Sequence, residues 1–230
     1  MTSQVKQLHR AFTAAFLLLA AVCTAHADPD AQSILKNARM AQTAQQRTLA
    51  GHLRVQSTGQ VVPFTLVFSG STIRYQFKDA DIVLRLGQSG SQLLESAHGD
   101  TRKVSPARYD KPVEGTDITY EDVSLNFLYW PKAKIDGSDS IGLVDCWKLH
   151  LEPAGQPSAY AVVLLWVGKG SDSGAFMQGE GYDKTGKLVK RFKVVSPQRD
   201  PQGGWMLKKM RIETLVAGKD ESLTYLEIDK

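Results

Sequence analysis

From Leu49 to Ile228 apolar residues keep returning at every second position, and that period limits the fold more than any other feature of the chain. Leu49, Gly51, Leu53 and Val55 alternate with Ala50, His52 and Arg54. Val62, Phe64, Leu66 and Phe68 then form one apolar face, and Ile73, Tyr75 and Phe77 another. Ile82, Leu84 and Leu86 follow in the same manner. The second half repeats the style over Leu143–Leu151, Ala159–Val167, Ala175–Tyr182, Lys187–Val195, Trp205–Leu215 and Ser222–Ile228. Tight-turn sequences separate the runs, such as Gly70-Ser71 and Asp183-Lys184-Thr185-Gly186. Short strands joined in this way predict an antiparallel meander of about eleven strands. A sheet that size curls or closes instead of staying flat. No shift of composition marks a boundary, so residues 28–230 read as one mainly β (α+β) domain.

Two stretches break the period. Asp28 to about Gln46 is a helix candidate, with Asp28 and Asp30 at its start and Pro29 in the first turn. Ile34, Leu35, Ala38 and Ala41 make its apolar stripe, which is thin and suits a helix lying across something larger. Lys103–Asp139 is the second break. Within it Thr119-Tyr120-Glu121-Asp122 has the form of a capping box. Val123, Phe127 and Leu128 follow at helical spacing, and Pro131 ends the run. This predicts a helix of about two turns, placed where a lid or plug would sit.

The first 27 residues read as a secretory signal peptide. Lys6 and Arg10 supply the positive start, Ala11 to about Ala25 the apolar run, and Ala25-His26-Ala27 the small-residue cleavage pattern. Cleavage there leaves 203 residues (230 minus 27) in the periplasm. An uncleaved anchor and a lipid-modified Cys23 are the other two readings, and N-terminal sequencing separates the three. The apolar run is short for a span, which needs roughly 20 residues.

Charge and chemistry narrow the function classes. Removal of Lys6 and Arg10 lowers the net charge from +4 to +2 (26 minus 24), and no run of like charge occurs. A nucleic-acid footprint is therefore not expected. After cleavage Cys146 is the remaining cysteine, so no internal disulfide is expected, and it reads as a buried strand thiol. His52, His98 and His150 stand apart with no metal-ligand spacing, and Gly87-Gln88-Ser89-Gly90-Ser91 lacks the last glycine of a nucleophile elbow. Neither an enzyme site, a metal nor a cofactor is expected. Apolar surface remains: Tyr160, Val162, Leu164 and Trp166 share one face of a strand whose other face carries Ala161, Val163, Leu165 and Val167. Such a strand is covered on both sides, by core or by a cavity.

Gly115-Thr116-Asp117-Ile118-Thr119-Tyr120-Glu121-Asp122, followed by Phe127-Leu128-Tyr129-Trp130-Pro131, resembles the bacterial outer-membrane lipoprotein-sorting (LolA-like) family. Leu164–Val167, Tyr182–Lys190 and Leu226–Lys230 resemble further signatures, so the match runs from about Leu49 to Lys230. The resemblance implies a half-open β-barrel of about eleven strands, closed by an N-terminal helix and a short lid or plug helix. It implies a periplasmic carrier, expected as a monomer, whose cavity takes acyl chains of lipoproteins or related lipids. An inner-membrane transporter and an outer-membrane acceptor are the implied partners. The expected cavity residues are Phe64, Leu66, Phe68, Ile73, Tyr75, Phe77 and Trp166, and the expected lid residues are Tyr120, Phe127 and Trp130. The chain departs from the lysine-arginine-proline lid latch of lipoprotein carriers, because Ser69–Tyr75 has no basic-proline step. Alternatives are an envelope sensor of mislocalised lipoproteins, or an accessory hydrophobe-binding protein of an inner-membrane lipid exporter.

Overall fold

A computed structural model describes residues 29–43, 46–199, 205–216 and 219–229. The signal segment and its cleavage site lie outside the described residues. The first run of hairpins gives β1 (Gln46–Val55), β2 (Val61–Ser69), β3 (Thr72–Gln76), β4 (Asp81–Leu86), β5 (Ser91–Ala97) and β6 (Asp100–Lys103). The second gives β7 (Lys132–Ile141), β8 (Val144–Glu152), β9 (Val162–Gly168), β10 (Phe176–Tyr182), β11 (Leu188–Arg199), β12 (Trp205–Val216) and β13 (Lys219–Ile228).

All pair antiparallel in one 13-stranded sheet, ordered β6-β5-β4-β3-β2-β1-β13-β12-β11-β10-β9-β8-β7. The sheet is open, and β1 against β13 seams its two halves together, with Leu53 opposite Leu226. The first run walks outward from this seam to one edge, and the second walks back from the other edge. Residues 104–131, which join β6 to β7, therefore connect the two edges of the sheet. On one face the middle strands carry a row of ion pairs: Arg54 Nη2 to Glu227 Oε1 at 2.9 Å and Lys209 Nζ to the same oxygen at 3.0 Å. The opposite face of these strands is apolar, as the alternation requires.

The strands for which the sequence shows no alternating run are β5, β6 and β7, where the apolar period is weakest. β6 is exposed at every position. β7, read as part of the break at Lys103–Asp139, spells Lys-Ala-Lys-Ile-Asp-Gly-Ser-Asp-Ser-Ile and is largely exposed. Edge strands need few apolar residues, and charge along them blocks pairing with other chains.

The N-terminal helix α1 spans Ala31–Thr43, shorter at both ends than the expected Asp28–Gln46. Asp30 caps its first turn by accepting from Ser33 N–H (2.9 Å) and Ser33 Oγ–H (2.8 Å). Ala31, Ile34, Leu35 and Ala38 pack with Trp130, Leu149, Leu151 and Leu165. The mid-chain helix is not a continuous two-turn element. α2 (Tyr120–Ser124) stops where Leu125 turns left-handed at φ 50°, and a 3-10 turn covers Asn126–Tyr129. The capping box is present in full: Thr119 Oγ1 accepts from Asp122 N–H at 3.3 Å, and Asp122 Oδ2 accepts from Thr119 N–H at 2.8 Å.

Candidate functional site

Between the apolar face of the sheet, α1 and the α2 segment lies a cavity of about 400 Å³. That falls within the range of roughly 300–1,000 Å³ usual for small-molecule sites. One wall comes from β1, β2 and β3, through Leu49, Leu66, Phe68, Ile73 and Tyr75. A second comes from β11, β12 and β13, through Phe192, Met210, Ile212, Leu226 and Ile228. Leu165 and Val167 of β9 extend it. Ala38, Ala41 and Gln42 of α1, with Val123, Leu125, Phe127 and Leu128, cover the space. The lining residues Ser171 and Ser173 are exposed and mark where it opens to solvent.

Of the residues expected to line a cavity, Leu66, Phe68, Ile73 and Tyr75 do so, and Phe127, expected in the lid, lines it as well. Phe64 and Phe77 do not. They sit beside it, Phe64 against Tyr75 (ring centroids 6.5 Å apart) and edge-on to Phe77 (6.2 Å). Trp166 is a correction. It points away from the cavity into a separate cluster with Ile141, Val144, Cys146 and Met177, and its indole N–H donates to Asp139 Oδ2 at 3.0 Å. The cause is parity, since Leu165 and Val167 take the inner face and Trp166 the outer. Tyr120 and Trp130 also lie off the lining, both in packed core. The residues of the middle strands, Phe192, Met210, Leu226 and Ile228, were missed. Their alternation is in the sequence, but which face points inward follows only from the seam of β1 with β13.

The Gly115–Asp122 block explains how the covering segment is held. Asp117 accepts from Thr224 Oγ1–H at 2.6 Å and from the Ser222 hydroxyl, which fastens it to β13. Lys190 of β11 donates to the Asp117 carbonyl and to Thr214 Oγ1 (2.9 Å). Tyr120 donates to Glu95 Oε1 of β5 at 2.7 Å and accepts from Arg108 at 2.8 Å. The Arg108 hydrogen bond holds Glu95 below its usual carboxylate value, and burial, then Glu95, pushes Tyr120 up to about 12. Glu121 accepts from Ala159 N–H at 2.9 Å and from the Ser158 hydroxyl. Burial raises its carboxyl above the usual value, against the pull of those two donors. Asp122 accepts from the Tyr160 hydroxyl at 2.7 Å.

α1 is tied to the same segment. Gln32 Nε2 donates to the Trp130 carbonyl at 3.1 Å, and Arg39 donates to the Leu128 carbonyl with its guanidinium 4.8 Å over the Tyr129 ring. Gly181 permits the close approach of Tyr160 that reaches Asp122: a Cβ there would stand 2.6 Å from the Tyr160 ring. Glycine inside a strand is a signal of such an approach, legible in Gln178-Gly179-Glu180-Gly181.

The described residues hold no group of three His, Cys, Asp or Glu side chains placed to bind a metal. No helix among them is long and apolar enough to cross a membrane. Cys146 is free and buried, and burial pushes its thiol up to about 11.

The model of a family described as "-like: Uncharacterized protein" matches residues 94–230, more than half of the chain. No curated protein matches it. Three solved structures share its architecture. A DUF1329 family protein from Desulfovibrio piger has a TM-score of 0.64 at 17% identity, covering 87% of this chain and 91% of its own. A domain from Vibrio parahaemolyticus assigned to outer membrane lipoprotein sorting has a TM-score of 0.64 at 14% identity, covering 86% and 92%. A LolA superfamily protein from Nitrosomonas europaea has a TM-score of 0.61 at 18% identity, covering 88% and 92%. At these identities the likeness establishes the fold.

Proposed function

Since the chain belongs to the family whose model spans residues 94–230 and has a LolA-like fold, we propose that it is a periplasmic carrier that holds an acyl chain of a lipoprotein or related lipid in this cavity and passes it on. The observation that carries the reading is an apolar space of about 400 Å³ left inside a fold otherwise packed into clusters of buried side chains. Protein interiors are close-packed and leave few voids larger than a water molecule, so a space of this size is a feature of the design. Apolar walls suit acyl chains, each buried methylene contributing roughly 0.8 kcal/mol without directional bonds. The signal-like first 27 residues support the periplasm as its location. The fold likeness to a lipoprotein-sorting domain supports the cargo class. Binding and release require no catalytic step, and Glu121 and Asp122 have structural partners that account for them.

In this reading the expected lid does not swing as a unit. Tyr120, Asp117, Glu121 and Asp122 fasten the α2 segment to β5, to β13 and to the chain just ahead of β9, so it serves as a fixed plug. Cargo enters beside Ser171 and Ser173, where the lining is exposed. Titration with a fluorescent fatty acid tests the proposal. Saturable 1:1 binding, lost when the cavity is filled by a larger side chain, is the expected result. Folded protein that takes up no acyl probe would end it.

A further inference from the structure

Buried tyrosines keep their hydroxyls paired as a rule, and this fold mostly follows it. Tyr120 donates to Glu95, Tyr129 to the Gly87 carbonyl at 3.0 Å, Tyr160 to Asp122, and Tyr182 to Glu180 at 2.7 Å. Tyr75 departs from it. It lines the cavity from β3, and its hydroxyl has no hydrogen-bond partner among the described residues.

The surroundings explain why. Tyr75 faces Leu66 across β2 and Ile82 across β4. Ile73 and Phe77 stand two residues to either side on its own chain, and the Phe64 ring lies 6.5 Å away. Each of these side chains is apolar. So are Ile118, Val123 and Leu125, which line the cavity from the covering segment. Asp122 also borders the cavity, but its carboxylate already receives the Tyr160 hydroxyl and the Thr119 N–H.

A hydroxyl in such a place carries a cost. Burial pushes it up to about 12, so it stays protonated and neutral at working pH. Held away from water without an acceptor, it lowers the stability of the empty protein. Phenylalanine occupies positions 64, 68 and 77 nearby, and at position 75 it would pack without that loss. A donor fixed by packing on the wall of an apolar space therefore calls for an acceptor on the cargo.

The same surroundings limit the charge of that acceptor. One neutral hydroxyl among aliphatic and aromatic side chains does not offset the desolvation of an ionised head group. It does match a neutral carbonyl oxygen, whose hydrogen bond to water it replaces.

Resting on the carrier reading above, we infer that Tyr75 is a specificity-determining residue whose hydroxyl donates to the ester or amide carbonyl of the bound acyl chain. The cavity then reads the acyl linkage as well as the hydrocarbon. An alkyl chain without a carbonyl fills the space and leaves the hydroxyl unpaired.

The test uses three chains of equal length: methyl palmitate, N-methylpalmitamide and octadecane. Displacement of diphenylhexatriene from the folded protein gives each affinity, in the natural protein and in Tyr75→Phe. The variant should bind the ester and the amide roughly three- to tenfold more weakly, the worth of one neutral hydrogen bond, and octadecane as before. A loss confined to the ester or to the amide identifies the linkage that Tyr75 reads. The empty variant should melt at the same temperature as the natural protein or above it, which a merely structural hydroxyl would not allow. Infrared spectra of carbonyl-labelled methyl palmitate supply a readout that needs no variant: the carbonyl band should move to lower wavenumber on binding the natural protein. An unshifted band, equal losses for all three chains, or no loss for the ester and the amide would overturn the inference and leave the carrier reading standing. If neither diphenylhexatriene nor any of the three chains binds the folded protein, the carrier reading falls and this inference with it.

Discussion

Tyr160 donates its hydroxyl to the Asp122 carboxylate at 2.7 Å, joining the chain just ahead of β9 to the first turn of α2. Both groups are buried, and the Tyr160 hydroxyl is held well above its ordinary value, first by burial and then by the neighbouring carboxylate. The bond is one of several that turn residues 115–124 into a strap across an open sheet. Tyr160→Phe removes one donor from a buried carboxylate and should cost about 1–3 kcal/mol. Urea denaturation measures it, and an unchanged midpoint would show that the strap is not held here.

Trp130 is 2% exposed and packs between α1 and the strands β8 and β9. Trp130→Ala should therefore cost about 3–5 kcal/mol, the usual loss for a large buried aromatic. A loss below about 1 kcal/mol, together with altered acyl-chain affinity, would return Trp130 to the role of a movable lid.

Glu121 gives a pH signature with a definite sign. Its folded value lies above the ordinary 4.5 because burial disfavours the charged form. The folded protein then binds more protons than the unfolded chain just above pH 4.5, so this group's contribution falls as pH rises through the folded value. Glu121→Gln removes that slope. Melting curves from pH 4 to pH 8 should show the variant gaining on the natural protein as pH rises through that window. A difference independent of pH would contradict the assignment. Glu95 acts in the opposite sense: Arg108 lowers its value, so its contribution is present at neutral pH and lost in acid.

Cys146 is fully buried, and its thiol is pushed up to about 11, mainly by burial. Melting temperature should be the same with and without reductant, and a water-soluble disulfide reagent should label the thiol only on unfolding. Rapid labelling of the native protein would place Cys146 at the surface.

The fold was legible where the period was strong. Val62–Phe68 and Ile73–Phe77 appear as strands β2 and β3 where the alternation put them, and the capping box at Thr119 starts a helix. The N-terminal edge of the second half, Lys132–Ile141, was not legible, because an exposed edge strand carries charge and glycine where an inner strand carries apolar residues. The cavity was half legible. Leu66, Phe68, Ile73 and Tyr75 could be named from one hairpin, but the facing wall of Phe192, Met210 and Leu226 depends on β1 meeting β13, a pairing between residues far apart in sequence. Trp166 misled because a strand apolar on both faces gives no sign of which face is inner. The motif at Gly115–Asp122 carried the family resemblance. Its side chains turn out to be fasteners, which sequence spacing cannot distinguish from contacts to cargo.

Met210 lines the cavity on β12, so Met210→Trp adds a bulky side chain to empty space. Fatty-acid binding should drop by at least about tenfold while stability changes by less than about 1.5 kcal/mol, since little packed structure has to move. Trp166→Phe, on the outer face, should leave binding unchanged. Equal binding by both variants and the natural protein would place the acyl site elsewhere.

The most direct measurement is native mass spectrometry of the protein purified from the periplasm without detergent, followed by lipid extraction of the same sample. The account predicts a fraction of the protein carrying a non-covalent adduct, released on unfolding and identified as an acyl lipid. A bare protein mass that also fails to gain mass when acyl probes are added would contradict it.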